Sequence, residues 1–239
     1  MRRTIAGRGC RTPLHERAHA ASQRQRDPVF ARVFLRQQFH ARNSALDRPS
    51  AVDLARGRGS AVSQPSTAVV ARELGLPVSV EQIKVQSPRH GEVMIRLAAC
   101  GVCHSDLSAT NGTIAYPLPL VLGHEGAGIV TAIGEGVSRY AIGDHVVSSF
   151  VSICGRCHYC QTGRPHLCVQ SLQALYTLPD GSVRTFDAAG SPLNVFCGCG
   201  VMAEYATLHA DNLVKIDRQM PLDRAALTPA LLHRRLQAL

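Results

Sequence analysis

The segment CGRCHYCQTGRPHLC, residues 154 to 168, constrains this chain more than any other feature, because it places four cysteines within fifteen residues. Four thiolates in a tetrahedron satisfy a divalent zinc ion and leave no position open, which is the arrangement of a structural zinc site. Gly163 and Pro165 favour a turn that returns the chain for the fourth ligand. The predicted zinc ligands are Cys154, Cys157, Cys160 and Cys168.

Two other interpretations compete with zinc at these cysteines. A disulfide framework is disfavoured because thiols separated by two residues form strained bridges, and no secretion signal is evident in the sequence. An iron–sulfur cluster also uses four cysteines and is the second rival. The spacing of the cysteines favours zinc over both.

A chain of 239 residues with 45% hydrophobic content is long and apolar enough for one or two packed domains. Its best candidate for a membrane-spanning run, PLPLVLGHEGAGIVTAIG, is interrupted by His124 and Glu125. No uninterrupted apolar run of about eighteen residues remains, so a membrane span is not predicted.

The net charge of +9 is confined to one end of the chain. Residues 1–66 hold thirteen Arg and four acids, whereas the residues after them hold thirteen basic and thirteen acidic side chains. A neutral globular part without interleaved aromatic and basic residues gives no reason to expect nucleic acid as a partner. We interpret the Arg-rich leader, residues 1–66, as disordered or non-native, with a mitochondrial transit peptide as the alternative. The expected location is cytoplasmic, or mitochondrial under that alternative.

After residue 66 the sequence becomes typical of a β-rich domain. The stretches TAVVARELG, PVSVEQIKV and EVMIRLAACGV predict successive strands. In the third stretch, Val93, Ile95 and Leu97 predict a buried face, and the intervening residues 92, 94 and 96 predict a face exposed to water. SDLSATNG predicts a short helix, and the glycines of LVLGHEGAGIVTAIGEGV predict bends and bulges. We therefore expect a mainly β fold with a curved sheet or barrel.

A second candidate metal site is formed by Cys103 in GVCHSD and His124 in GHEGAG. Taken alone, such a pair is more often part of a core or a coincidence, but its occurrence beside the four-cysteine segment favours two ligands of a second metal ion. The other thiols are interpreted as buried or uninvolved: Cys10, Cys100, Cys197 and Cys199. Three aromatic residues are interpreted as core or pocket wall: Tyr116, Phe150 and Phe196.

These motifs together resemble the zinc-dependent medium-chain alcohol dehydrogenase family. The similarity covers about Thr67 to Asp223 and is carried by AACGVCHSD, YPLPLVLGHEGAGIV, GDHVV and the four-cysteine segment, in the family's order. The resemblance implies a GroES-like, partly open β-barrel over residues 67–223, with a zinc-binding loop lobe and short helices. It also implies that this is the catalytic domain of a two-domain enzyme whose second, Rossmann domain binds NAD(H).

The resemblance assigns roles to individual residues. Cys103 and His124 match two of the three protein ligands of the catalytic zinc, and the four cysteines match the ligands of the structural zinc. Ser105 matches the hydroxyl that takes the alcohol proton, and Asp106 matches the carboxylate that orients the histidine. Glu125 matches an acid that lies behind the metal, and His104 matches the residue that contacts the coenzyme pyrophosphate. The implied reaction oxidises a small alcohol to an aldehyde or ketone, with zinc polarising the oxygen and hydride passing to NAD.

The sequence departs from the family after Asp223. Where the family continues into a Gly-Cys-Gly segment with the third zinc ligand and then a Rossmann domain, this chain ends in TPALLHRRLQAL and shows no complete Gly-x-Gly-x-x-Gly motif. We therefore expect residues 224–239 to be the aberrant tail of a truncated product, with an incomplete catalytic zinc site and no activity alone. The alternative is a zinc-binding module without turnover. In either case, an oligomer with itself or with intact relatives is the expected assembly.

Overall fold

The computed structural model describes residues 63–228, which form two β-sheets connected by loops and short helices. In chain order the strands are β1 (Ser63–Ala71), β2 (Ser79–Gln86), β3 (Glu92–Gly101), β4 (Leu120–Val121), β5 (Glu125–Ile133), β6 (His145–Ser148), β7 (Thr185–Asp187), β8 (Asn194–Val195), β9 (Tyr205–His209) and β10 (Leu213–Lys215). The helices are α1 (His104–Thr110), α2 (His158–Gln161), α3 (Val169–Gln173) and α4 (Leu222–Ala225). Short 3₁₀ turns cover Pro165–Leu167, Phe196–Gly198 and Ala210–Asn212.

Each sheet has five strands. The first has the order β7-β2-β1-β4-β8 and the second the order β10-β6-β5-β3-β9. Neighbours are antiparallel except for β4 and β8, which pair in parallel. In its pairing with β5, β3 has register irregularities at Met94/Ile95 and Leu97/Ala99. Such bulges bend a strand and increase its twist, which curls the second sheet. The predicted mainly β class with few short helices is confirmed.

The central strand β3 is buried on both faces at its start. Val93 and Ile95 are fully buried in the core of the second sheet, as predicted. Met94 is buried as well, in a separate apolar cluster that includes residues of β1, β2 and β8. Glu92 is only 3% exposed. The predicted wet face is therefore wrong at residues 92 and 94, because the first sheet packs against it, and Arg96 alone of the three is exposed.

The buried carboxylate of Glu92 forms an ion pair with Arg184. Arg184 donates from Nε and Nη2 to the two oxygens of Glu92, at 2.8 and 2.6 Å. Neither side chain is more than 4% exposed. Glu92 also accepts the backbone N–H of Arg89 at 2.9 Å. The two-pronged contact joins the start of β3 to the chain just before β7, 92 residues later.

The predicted domain, residues 67–223, lies within the described residues, and its bounds stay a prediction. β1 begins at Ser63, four residues before the expected start at Thr67, and α4 spans the expected end at Asp223. The rest of the predicted leader, residues 1–62, and the tail from residue 229 onward lie outside the described residues. Within residues 63–228, none of the helices has the length and apolar character needed to cross a bilayer.

Candidate metal centres

The four cysteines predicted as zinc ligands lie together in the connection between β6 and β7. We define residues 154–173 as the cysteine lobe, which contains α2, a 3₁₀ turn and α3. The four sulfur atoms all lie within 4.8 Å of one another. Cys157 and Cys160 are 3.5 Å apart, and the Cys154–Cys160 and Cys157–Cys168 pairs are each 4.0 Å apart. A tetrahedral zinc with Zn–S bonds of about 2.3 Å would separate its sulfurs by about 3.8 Å, so the spacing fits zinc.

The same sulfurs are too far apart to be bonded to one another. All eight cysteines within residues 63–228 are free thiols. A disulfide requires a separation of about 2.05 Å, well below the distances within the lobe. The disulfide framework considered from the sequence is not the arrangement that the chain adopts.

Local geometry explains why this short segment collects four sulfurs. Gly155 and Gly163 have φ of +71° and +74°, a left-handed conformation that reverses the chain twice within the lobe. Backbone N–H groups of Cys160 and Val169 lower the pKa of Cys157 to about 6. Burial, followed by the contact with Cys157, raises the pKa of Cys160 to about 12. The lobe therefore favours one thiolate before any metal binds, and zinc would displace the protons of the other thiols.

A second group of donors brings together Cys103, His124 and Glu125, whose ligand atoms also lie within 4.8 Å of one another. Cys103 is the N-cap of α1, and His124 and Glu125 lie where the chain enters β5. His124 is 5% exposed. One sulfur, one nitrogen and one oxygen donor leave a position open, which is typical of a catalytic rather than a structural zinc site. The three residues predicted to surround this metal therefore meet in the structure.

Asp106 connects the two chain segments that supply these donors. Its fully buried carboxylate accepts the N–H of Cys103 at 3.1 Å and the N–H of Gly123 at 2.9 Å. Oδ1 also lies 3.5 Å from Nδ1 of His124, a buried nitrogen that makes no hydrogen bond. Nε2 of the same ring lies 3.9 Å from Glu125 Oε1, on the side of the other donors. A carboxylate facing one ring nitrogen orients the histidine and leaves the other nitrogen for a metal.

The electrostatic interaction between Cys103 and His124 favours a charged sulfur on Cys103. Burial would raise the pKa of Cys103, but hydrogen bonds with Ser105 and the neighbouring His124 outweigh burial, and this pKa is lowered. Burial would lower the pKa of His124, but the carboxylate of Asp106 and the sulfur of Cys103 raise it. Both pKa shifts are toward the charged forms, a thiolate at Cys103 and an imidazolium at His124. A metal ion would take the place of the imidazolium proton.

The position of His124 depends on the glycine before it and on two aromatic rings. Gly123 has φ of +92°, and a Cβ at this position would lie 2.4 Å from the backbone nitrogen of Met202. The His124 ring makes edge-to-face contacts with Phe150 and Phe196, at centroid distances of 5.9 and 5.1 Å. These rings form apolar walls beside the donors, consistent with their interpretation as core or pocket wall.

Sequence reasoning missed Ser148, which fixes the backbone at this centre. Its buried hydroxyl donates to the carbonyl of His124 at 2.9 Å and accepts the N–H of Gly126 at 2.7 Å. A single serine in the stretch GDHVVSSF carries no recognisable motif. Only the fold shows that it braces the backbone on both sides of Glu125.

The two remaining predicted residues lie on the first turn of α1. The hydroxyl of Ser105 is 3.5 Å from the sulfur of Cys103. Nδ1 of His104 is 3.3 Å from the hydroxyl of Ser108. Proton transfer by Ser105 and coenzyme contact by His104 stay predictions.

Comparisons with known proteins agree with this fold and these motifs. Residues 89–218 match the model of the alcohol dehydrogenase GroES-like domain. The NDMA-dependent alcohol dehydrogenase of Amycolatopsis methanolica is 41% identical over 152 residues, which cover 63% of this chain and 41% of the relative. The S-(hydroxymethyl)glutathione dehydrogenase of Saccharomyces cerevisiae is 40% identical over 154 residues, or 63% and 40% of the two chains.

Solved structures show the same likeness. An alcohol dehydrogenase zinc-binding domain protein from Burkholderia ambifaria aligns with a TM-score of 0.66 at 38% identity, over 70% of this chain and 46% of its own. The benzyl alcohol dehydrogenase of Acinetobacter calcoaceticus aligns with a TM-score of 0.63 at 31% identity, over 70% and 45%. The chain thus spans less than half the length of these relatives. It belongs to the zinc-type medium-chain alcohol dehydrogenase family, whose N-terminal GroES-like catalytic domain it contains.

Proposed function

We propose that this domain holds two zinc ions and serves the oxidation of a small alcohol. The cysteine lobe would hold a structural zinc, and Cys103, His124 and Glu125 would surround a catalytic zinc. The observation that carries this proposal is the presence of two preassembled donor groups, each with its donor atoms within 4.8 Å of one another. The two donor groups differ as a structural and a catalytic zinc site should. Four thiolates fill the coordination shell of zinc, whereas a mixed set of three donors leaves one position open.

Zinc at the second centre supplies a Lewis acid that polarises the oxygen of an alcohol. The residues of the chain do the rest in this proposal. Asp106 holds His124 in the orientation that directs Nε2 toward the metal position. The hydroxyl of Ser105, beside Cys103, takes the alcohol proton and passes it outward. Phe150 and Phe196 exclude water from one side of the reacting carbon.

The relatives support the remaining assignments. Proteins named as alcohol dehydrogenases match this chain, which favours an alcohol as substrate and an aldehyde or ketone as product. We propose NAD as the hydride acceptor, with His104 at its pyrophosphate, and an oligomer with itself or with intact relatives as the assembly. A cytoplasmic location is compatible with the free thiols of residues 63–228.

Counting the zinc bound by purified full-length chains tests the proposal. Two zinc ions per chain are expected, one for each donor group. Cys157→Ser should remove the lobe zinc and His124→Asn the other one, whereas His166→Asn should keep both, because His166 lies in the lobe outside the donor group. A wild-type chain that binds only one zinc, and keeps that zinc in His124→Asn, would favour the alternative function, a zinc-binding module without turnover. A folded chain with no zinc would contradict both functions.

A further inference from the structure

A buried polar network centred on Gln170 joins the cysteine lobe to the second sheet. Gln170 lies on α3, two residues after Cys168, and is 5% exposed. Its Nε2 donates to Ser152 Oγ at 2.8 Å and to Asp211 Oδ2 at 2.9 Å, and its Oε1 accepts from Arg156 at 3.3 Å. Ser152 lies just before the lobe, and Asp211 belongs to the 3₁₀ turn after β9. One amide therefore ties both ends of the lobe to the sheet.

The partners of Gln170 hold it in one orientation. A carboxylate can only accept and a guanidinium can only donate, so Asp211 and Arg156 decide which end of the amide faces each of them. Asp211 is itself held by Arg139, whose Nη2 donates to Oδ1 at 2.7 Å. The backbone N–H of Ile153, next to the lobe, donates to the carbonyl of Asp211 at 3.4 Å. Asp211 is thus the anchor of the lobe on the sheet.

His209 adds a proton-sensitive acceptor to this anchor. Its Nδ1 accepts the backbone N–H of Asp211 at 3.2 Å, which requires a free lone pair on that nitrogen. The same Nδ1 lies 3.4 Å from Asp211 Oδ2 and 3.4 Å from Gln170 Nε2. The contact with Asp211 is therefore compatible only with a ring that carries no proton on Nδ1.

The surroundings of His209 favour its neutral form. The charged groups that act on this ring are Asp211, Arg139, Glu92 and Arg156. Burial of the half-buried ring, the main effect, lowers the pKa of His209. A histidine whose pKa is lowered on folding contributes stability that is complete above its ordinary pKa of about 6.5. That contribution is lost as the pH falls through the lowered pKa of the folded state.

We propose that Gln170, Asp211 and His209 form a proton-sensitive clasp that holds the cysteine lobe on the second sheet and loosens when His209 takes up a proton. A protonated Nδ1 cannot accept the N–H of Asp211 and donates instead to Asp211 Oδ2, in competition with Gln170. The anchor of the lobe on the sheet is weakened, and the sulfurs of the lobe become more accessible. The release of the lobe zinc rests on the zinc-binding role proposed above, whereas the motion of the lobe does not.

Three full-length chains test the clasp, namely the wild type, His209→Asn and Gln170→Met. Asparagine accepts the same backbone N–H as an N-cap but does not titrate. Zinc transfer to an excess of a chromogenic chelator is timed at about pH 7.5 and about pH 5.5, on either side of the ordinary histidine pKa. Hydrogen exchange of residues 152–173 is followed by mass spectrometry at the same two values.

On lowering the pH, zinc release from the wild type should accelerate about tenfold more than from His209→Asn, the effect of one charge-assisted hydrogen bond. Protonation of the cysteines affects both chains and cancels in this ratio. Gln170→Met should release zinc quickly at both pH values. If Gln170→Met fails to fold, Ser152→Ala replaces it as the test variant. Its zinc release should be faster than that of the wild type, by a smaller factor than expected for Gln170→Met.

An equal pH dependence of zinc release in the wild type and in His209→Asn would overturn the proposed clasp. So would release from Gln170→Met, or from its replacement, that is no faster than from the wild type at the higher pH. If the lobe binds no zinc, the proposed function fails, and hydrogen exchange still decides on the clasp. Once the pH dependence of intrinsic exchange is divided out, weaker protection of residues 152–173 at low pH in the wild type but not in His209→Asn supports it, and equal protection in both chains refutes it.

Discussion

The buried Glu92–Arg184 pair makes the most quantitative prediction for this domain. Both side chains are at most 4% exposed, and the contact is two-pronged, with N···O distances of 2.8 and 2.6 Å. Replacing Glu92 by Gln keeps the shape of the side chain but removes its charge. The guanidinium of Arg184 would then be buried with only one counter-charge nearby, the largely exposed carboxylate of Asp180 at 3.6 Å.

The expected loss is large compared with the stability of a domain. Removing one partner of a buried ion pair costs about 3–5 kcal/mol, because the remaining charge is desolvated without compensation. Arg184→Met should cost a similar amount, since it isolates the carboxylate of Glu92. The double variant Glu92→Gln/Arg184→Met should lose less than the sum of the two single changes, because no unpaired charge is left.

Urea unfolding of the zinc-loaded chain, followed by far-ultraviolet circular dichroism, measures these losses. With a slope of about 2 kcal/mol per molar urea, each single change should lower the midpoint by about 2 M. The partly exposed cluster of Arg72 with Glu81 and Asp187 is the control, with side chains 40%, 22% and 14% exposed. Arg72→Gln should cost about 1 kcal/mol or less. A loss below about 1 kcal/mol for Glu92→Gln, equal to the control, would refute the reasoning.

Three further outcomes follow from the structure. Gly123→Ala should destabilise the domain more than Gly190→Ala in urea unfolding, because both glycines have positive φ but only a Cβ at position 123 meets backbone within 4 Å; equal losses would show that conformation alone matters. Burial would raise the pKa of Asp144, but Lys215 and neighbouring donors lower it, so its stabilisation is present above about pH 4 and lost as pH falls through the folded-state pKa. Urea midpoints at about pH 6 and about pH 3.5 should therefore fall less for Asp144→Asn than for the wild type, and parallel curves would contradict this. Removing zinc with a chelator should speed hydrogen exchange within residues 154–173 more than in the sheets, and uniform exchange would contradict a local role of the metal.

The parts of the site that the sequence predicted are those that depend on short-range chemistry. The spacing of Cys154 to Cys168 allows only a compact loop, so the meeting of the four sulfurs could be predicted without the fold. The Cys103–His124 contact required more, because two separate segments must meet. The motifs around both residues supplied that expectation, and the carboxylate of Asp106 shows how the segments are joined.

The parts that the sequence did not predict depend on contacts between distant segments. Alternation along β3 suggested a wet face at Glu92 and Met94, but that face is covered by a second apolar cluster from other strands. The partner of Glu92 lies 92 residues away, beyond the reach of any local pattern. Gln170 and Ser148 are neutral polar residues without a motif, and only the fold shows what they hold together.

The most direct test of the central claim is X-ray absorption at the zinc edge, with the His124→Asn chain loaded with zinc so that only the lobe site is occupied. Four sulfur neighbours at about 2.3 Å, with no nitrogen or oxygen in the same shell, are predicted. A shell with nitrogen or oxygen ligands, or a folded chain that takes up no zinc, would contradict the account.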